Sequence, residues 1–217
     1  AELDAAFARI STPMQALGRL KASEHIVACV DDFPVDDQAG YAVVLEDVRA
    51  DALRVRFTDQ SSPLGADARR RVMSGVLAGL AHAHAKGVLH CDLKPANILL
   101  DQDHKPRLAD FGQSRLSTEQ TPALGTLFYM APEQADLEAI PDARWDVYAL
   151  GSLLYCMITG APPHRTDEAS QAIDNSVNLT QRLSRYRQLI QQSPPPTGHR
   201  RVRGVDTDLA AIIDRCL

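Results

Sequence analysis

The spacing of apolar residues predicts a chain of mixed secondary structure whose second half is mainly helical. Residues 1–20 are predicted to be helical in one or two pieces, with Pro13 at a helix start. Two strands are predicted over 25–30 and 41–48, the second through the apolar run AVVL. The turn-rich stretch DDFPVDDQAG between them is predicted to be a loop.

The clearest helix is predicted over 67–86, where apolar residues recur every three or four positions and Gly87 suits the C-terminal cap. Short β-type runs follow at 88–90, 97–100 and 106–109. A loop-rich region is expected after them, until helix returns in the last third of the chain.

Three helical stretches are predicted in that last third. The first covers 143–159 and ends before Gly160, and the second covers 170–191. The stretch SPPPTGHRRVRG is predicted to be a surface loop, after which Asp206 or Thr207 caps a last helix.

Composition and charge narrow the class of protein. The chain has 217 residues, 45% of them hydrophobic and 24% charged, which is ordinary globular usage and excludes a disordered, collagen-like or low-complexity chain. The formal net charge of -5 provides no excess of basic residues of the kind that nucleic-acid binding requires. No apolar run reaches the length of about 18 residues that membrane insertion requires. The four cysteines form no C-x-x-C pair, which indicates reduced thiols in a cytoplasmic protein.

The candidate chemistry lies in the stretch HCDLKPANILL. It places Asp92, Lys94 and Asn97 on one short loop, and Asp110 follows in the sequence DFG. Phosphoryl transfer needs such a set. A carboxylate accepts the proton of the attacking hydroxyl, a cation neutralises the transferring phosphoryl, and amide and carboxylate oxygens suit magnesium.

Three motifs carry a family resemblance. HCDLKPANILL, DFG and GTLFYMAPE resemble the catalytic loop, magnesium loop and substrate-docking segment of eukaryotic-like (Hanks-type) bacterial Ser/Thr protein kinases, and WDVYALG resembles the start of their central C-lobe helix. The implied fold class is α+β, a two-lobed protein-kinase-like fold with a mainly helical C-lobe and an incomplete β-rich N-lobe. The partial N-lobe is expected over 1–48 and the C-lobe over 49–217, ending inside a late helix.

The resemblance also implies roles for the residues at the phosphoryl end of the site. Asp92 would be the catalytic base and Lys94 would contact the γ-phosphoryl group of ATP. Asn97 and Asp110 would hold Mg²⁺, and Thr126 would shape the acceptor site and favour Ser/Thr over Tyr. The implied partner is a protein substrate with a Ser or Thr acceptor.

At the adenine end, Leu99 would lie under the ring, and the backbones of Glu46 and Val48 would bind its edge, with Leu45 as gatekeeper. Two structural roles are implied as well. Leu17, Cys29, His90 and Phe111 would form a packed column, and Asp146 would anchor the backbone of the catalytic loop.

The sequence departs from the family in several places. Cys91 replaces the arginine that pairs with an activation-segment phosphate, so activity is predicted not to need phosphorylation of Ser114, Ser117, Thr118 or Thr121. The glycine-rich phosphate loop, the ATP-binding lysine and its helix glutamate are not found, nor is an arginine partner for Glu133. Because most of these losses fall at the two ends, a fragment of a longer kinase is the favoured explanation. Any membrane tether of the parent protein is expected outside this stretch.

Two other functions remain open. A pseudokinase that acts as a binding scaffold would explain the missing phosphate loop and lysine, but it would not need the four polar residues of the site. A small-molecule phosphotransferase shares the Asp and Asn chemistry, but it does not explain GTLFYMAPE.

Overall fold

The computed structural model describes Leu20 and residues 23–27, 29–36, 40–45, 51–52, 65–111 and 124–217. These residues belong to two compact units. One unit draws on Ala1–His90 and Pro95–Gln113, and the other on Cys91–Lys94 and Ser114–Leu217. Of the predicted helix over 1–20, all but Leu20, which is buried in a turn, lies outside the described residues.

The first unit contains an antiparallel pair of strands, β1 (Cys29–Asp36) and β2 (Gly40–Leu45). The prediction of a loop over 31–40 is therefore wrong for residues 31–36, because all of DDFPVD lies in β1, and for Gly40, which begins β2. Hydrogen bonds to β2 satisfy the backbone of this segment. Among the described residues, β1 pairs with no other strand. Pro34, which has no amide to donate, is tolerated in such an edge strand, next to an irregularity in the register. β2 ends at Leu45, so the rest of the predicted strand lies outside the described residues.

The same unit contains a three-stranded antiparallel sheet. Its order is β3 (Asp51–Ala52), β4 (Ile98–Leu100) and β5 (Pro106–Leu108), which confirms two of the predicted short β runs. Residues 25–27 run alongside β5 and form backbone hydrogen bonds with it, and Ile26 forms a parallel bridge to Leu108.

Helix α1 (Ala66–Ala85) confirms the predicted helix to within one residue at each end. Two of its glycines allow a close approach to β5. A Cβ at Gly75 would lie 2.3 Å from Cγ of Pro106, and one at Gly79 would lie 2.8 Å from Cδ1 of Leu108.

The end of α1 explains why no strand forms at 88–90. Gly87 has φ +71°, its amide donates to the carbonyl of His84, and the amide of Val88 donates to the carbonyl of Ala83. This is a Schellman-type helix ending, and it uses the backbone group that a strand would have needed. The predicted strand is therefore wrong.

The described part of the second unit contains helices, short turns and connecting loops, but no strand. Its helices are α2 (Leu124–Leu127), α3 (Ala143–Thr159), α4 (Asp167–Asp174), α5 (Leu179–Gln192) and α6 (Thr207–Cys216), with short 3-10 turns at Pro132–Ala135 and Gly198–Arg201. Helix α3 has the predicted bounds, and α6 begins at the predicted cap, where the Asp206 side chain accepts from the amide of Leu209.

Two other predictions for this unit need correction. The stretch 170–191 is split between α4 and α5, because Asn178 caps α5 by accepting from the amide of Gln181, whose side chain in turn accepts from the amide of Val177. The predicted surface loop after α5 contains a 3-10 turn whose His199 is fully buried.

A buried cluster joins α2, α4, α5 and the turn Pro132–Ala135. Its members are Leu127, Phe128, Met130, Ala135, Ala169, Ile173, Leu183 and Tyr186. The rings of Phe128 and Tyr186 meet edge to face at 6.2 Å, and the Tyr186 hydroxyl donates to the carbonyl of Met130. None of the described helices is both long and apolar enough to cross a membrane.

Candidate active site

The second unit contains the short segment Cys91–Lys94. Here the ammonium Nζ of Lys94 lies 2.5 Å from Oδ2 of Asp92, in a charge-assisted hydrogen bond between side chains that are 21% and 13% exposed. The structure thus brings together the predicted base and the predicted cation of the catalytic loop.

Asp146 anchors this segment from the first turn of α3. The residue is fully buried, and its Oδ1 accepts a 2.7 Å hydrogen bond from the backbone amide of Cys91. The predicted anchoring role of Asp146 is confirmed. Cys91 has φ +61°, a left-handed conformation that is uncommon for any residue other than glycine.

Cys91 is a buried thiol in this environment. Burial, followed by the negative charges of Asp146 and Asp92, raises its pKa from 9.0 to about 12. The side chain therefore remains a protonated thiol at neutral pH and carries no charge that could bind a phosphate.

Sequence reasoning missed Gln134, which lies in the turn Pro132–Ala135. Its amide nitrogen Nε2 donates to the carbonyl of Cys91 at 2.6 Å, and the residue is buried. The signal was a glutamine directly after APE, but nothing in the sequence says what that side chain touches.

The predicted magnesium ligands belong to the first unit. Asn97 is buried in the 3-10 turn Pro95–Asn97, and its carbonyl accepts a 2.9 Å hydrogen bond from the amide of Ala109. That bond places Asn97 beside the residue that precedes Asp110, which is exposed and has φ +63°. The two oxygen-bearing side chains therefore project from adjacent points of paired backbone. Among the described residues, no three or more His, Cys, Asp or Glu residues form a cluster that could hold a metal.

The remaining predicted residues are placed only in part. Leu99 is half-buried in β4, Leu45 ends β2 opposite Cys29, and Thr126 is half-buried in α2. Glu46 and Val48 lie outside the described residues, so the adenine-binding predictions that concern their backbones remain predictions. So does the acceptor-shaping role of Thr126.

The structure gives the contact between two of the four residues of the predicted packed column. The rings of His90 and Phe111 lie 4.5 Å apart, and both residues are buried. Leu17 is outside the described residues. So are Ser114, Ser117, Thr118 and Thr121, whose phosphorylation is predicted not to be needed for activity.

Comparison with known proteins identifies the family. The sequence model of the family described as "Protein kinase domain" matches residues 4–217 of the chain. The chain belongs to the protein kinase domain family. The α+β fold class and the resemblance drawn from the three motifs are both confirmed for this kinase domain.

The kinase domain has three bacterial proteins among its curated relatives. It is 33% identical over 173 residues to the serine/threonine-protein kinase PknH of Mycobacterium bovis, covering 77% of the chain and 28% of PknH. It is 32% identical over 201 residues to PknB of Mycobacterium leprae, covering 88% of the chain and 30% of PknB. With pkn3 of Myxococcus xanthus it shares 31% identity over 223 residues, covering 97% of the chain and 38% of pkn3.

All three relatives carry the name serine/threonine-protein kinase, and this chain is similar to each of them. It spans less than two fifths of the length of each of these relatives.

Proposed function

We propose that the full-length protein transfers the γ-phosphoryl group of MgATP to a Ser or Thr hydroxyl of a protein substrate. The observation that carries this proposal is the pair Asp92 and Lys94 on a loop segment whose backbone is held by Asp146. A fixed carboxylate beside a fixed cation is what phosphoryl transfer requires, because catalysis there is mostly positioning and charge stabilisation.

In the proposed reaction, the acceptor oxygen forms a bond to the γ-phosphorus while the bond from that phosphorus to the β–γ bridging oxygen breaks, and ADP leaves. Asp92 orients the hydroxyl and accepts its proton. Lys94, already beside Asp92, neutralises charge on the transferring group. Thr126 would shape the acceptor site.

The family uses ATP and a divalent metal, and the residues present fit Mg²⁺. Asn97 and Asp110 supply oxygen ligands, which this hard cation prefers. We propose that these two side chains hold it. When bound, magnesium neutralises the phosphate charge that builds up during transfer.

The adenine end of the proposal rests on the family pattern. Leu99 would lie under the ring, the backbones of Glu46 and Val48 would bind its edge, and Leu45 would be the gatekeeper. We also propose the division into a partial N-lobe over 1–48 and a C-lobe over 49–217. Use of MgATP and the unbridged thiols of Cys91, Cys156 and Cys216 suit a cytoplasmic location.

The function is tested by the initial rate of phosphate transfer from ATP to a generic basic protein. Asp92→Asn in the full-length protein should lower kcat by about 100-fold or more, because the general base is lost while the side chain keeps its shape. Asp103→Asn, at an exposed turn between β4 and β5, is the matched control and should retain the parent rate. Equal rates for the parent and Asp92→Asn would overturn the role of Asp92.

A further inference from the structure

We propose that Gln134 is a positioning residue that sets the direction of Asp92 by holding the carbonyl of Cys91. The inference rests on the proposed function, because positioning matters only if Asp92 acts on a substrate. All the residues it uses lie in the second unit.

The two hydrogen bonds at Cys91 hold two successive peptide planes. Asp146 accepts from the Cys91 amide and so fixes the plane that precedes the Cα of Cys91. Gln134 donates to the Cys91 carbonyl and so fixes the plane that follows it. Because each peptide group is rigid and only φ and ψ can turn, the pair of bonds determines the conformation of Cys91.

The second plane is the one that carries Asp92. The carbonyl of Cys91 and the amide of Asp92 belong to the same peptide group, so turning that group swings the Asp92 side chain. The bond from the Cys91 amide to Asp146 acts on the other side of the Cys91 Cα and so does not itself fix this peptide group. Gln134 is therefore a contact that links the turn Pro132–Ala135 to the orientation of the proposed base.

The left-handed conformation of Cys91 makes this second contact necessary. A residue with a Cβ persists at φ +61° only where its surroundings hold it there. Without the bond from Gln134, the chain could relax by turning the peptide plane between Cys91 and Asp92. The pair of Asp92 with Lys94 would then lose its place.

The turn that presents Gln134 is itself well fixed. Pro132 begins it, and the amide of Gln134 donates to the carbonyl of Ala131 at 3.0 Å. Ala131 and Ala135 on either side are buried. The amide side chain thus projects from a short element, and its hydrogen bond to the carbonyl of Cys91 is buried, so loss of the donor leaves that carbonyl poorly satisfied.

The test compares Gln134→Met and Gln134→Glu in the full-length protein. Both side chains are close in length to glutamine, but methionine has no hydrogen-bond donor, and the ionised carboxylate of glutamate has none either. Gln188→Met, an identical substitution at an exposed site on α5, is the matched control. Ile173→Val, in the buried cluster, supplies a variant whose loss of stability is unrelated to the loop.

The first readout is the alkylation rate of Cys91 relative to Cys156, followed by mass spectrometry at neutral pH. Both thiols are buried, so global unfolding exposes both together, whereas local release of the loop exposes Cys91 alone. We expect the Cys91 rate to rise about tenfold or more in both Gln134 variants, with the Cys156 rate unchanged. An unchanged ratio of the two rates overturns the proposal.

The second readout is steady-state kinetics. The Gln134 variants should lose about 10- to 100-fold in kcat while the KM for ATP stays at the parent value, because the base and not the nucleotide is displaced. Ile173→Val should leave both constants unchanged. A parent protein that transfers no phosphate refutes the proposed function, and the alkylation ratio still decides whether Gln134 holds the loop. Parent kinetics in both Gln134 variants would overturn the positioning role.

Discussion

Replacing Asp146 with alanine tests the anchor of the catalytic loop. The Asp146 carboxylate is fully buried and accepts from the amide of Cys91, which is itself 6% exposed. Truncation removes a hydrogen bond to a charged group, strands the amide away from water and leaves a small cavity. These effects together should lower the free energy of unfolding by about 3 kcal/mol. Asp146→Asn keeps an acceptor oxygen and should cost only about 1 kcal/mol.

Two measurements check this prediction. Urea unfolding gives the stability change, and amide hydrogen exchange at Cys91 reports the bond itself. Asp146→Ala should remove the protection of this amide, whereas Asp146→Asn should retain most of it. If the Asp146→Ala variant unfolded at the parent midpoint with the Cys91 amide still protected, the anchoring geometry would be wrong.

Three further changes test the packing, the capping and the electrostatics. Gly75→Ala should lower the free energy of unfolding by about 1–3 kcal/mol, because the new methyl group meets Pro106 at 2.3 Å; a stabilised variant in urea would contradict the close approach of α1 to β5. Asp206→Ala should cost about 1 kcal/mol through loss of the cap on the Leu209 amide, and an unchanged urea midpoint would contradict it. The pKa of Cys91 rises from 9.0 in the unfolded chain to about 12 on folding, so its contribution to stability is complete below pH 9 and is lost as the pH rises from 9 toward 12. The free energy of unfolding of the parent should therefore fall faster over this range than that of Cys91→Ala, and equal slopes would contradict the burial of the thiol.

The helices of the second unit were largely predictable because their signals are local. α3 begins after Asp142, whose side chain accepts from the amide of Arg144, and it ends at Gly160 with φ +89°. Both signals are legible in the sequence. The split between α4 and α5 was not predicted, since it depends on a capping interaction inside a stretch with continuous helical propensity.

The strands were harder to predict, because their hydrogen bonds join distant parts of the chain. DDFPVD has the composition of a turn, yet it becomes β1 because β2 pairs with it. Val88 and its neighbours have β-type residues, yet the end of α1 takes the amide that a strand would use. In both places tertiary context outweighs local propensity.

In the candidate site, too, some residues could be predicted from the sequence and others depend on tertiary contacts. Asp92, Lys94, Asn97 and Asp110 were recognisable because chemistry restricts which residue types can serve at those positions. Gln134 was not recognisable, because its role depends on a 2.6 Å contact with a carbonyl 43 residues earlier in the chain. Motifs thus predict the groups that perform the chemistry better than the groups that hold them in place.

The most direct test of the central claim is to identify the acceptor of the γ-phosphoryl group. The full-length protein is incubated with magnesium and ATP labelled in its γ-phosphate, together with a protein substrate, and the labelled amino acids are identified after hydrolysis. We expect label on phosphoserine and phosphothreonine, and we expect Asp92→Asn to lose this label while it retains MgATP binding. A protein that binds MgATP but transfers no label to Ser or Thr would contradict the account and support a binding scaffold instead.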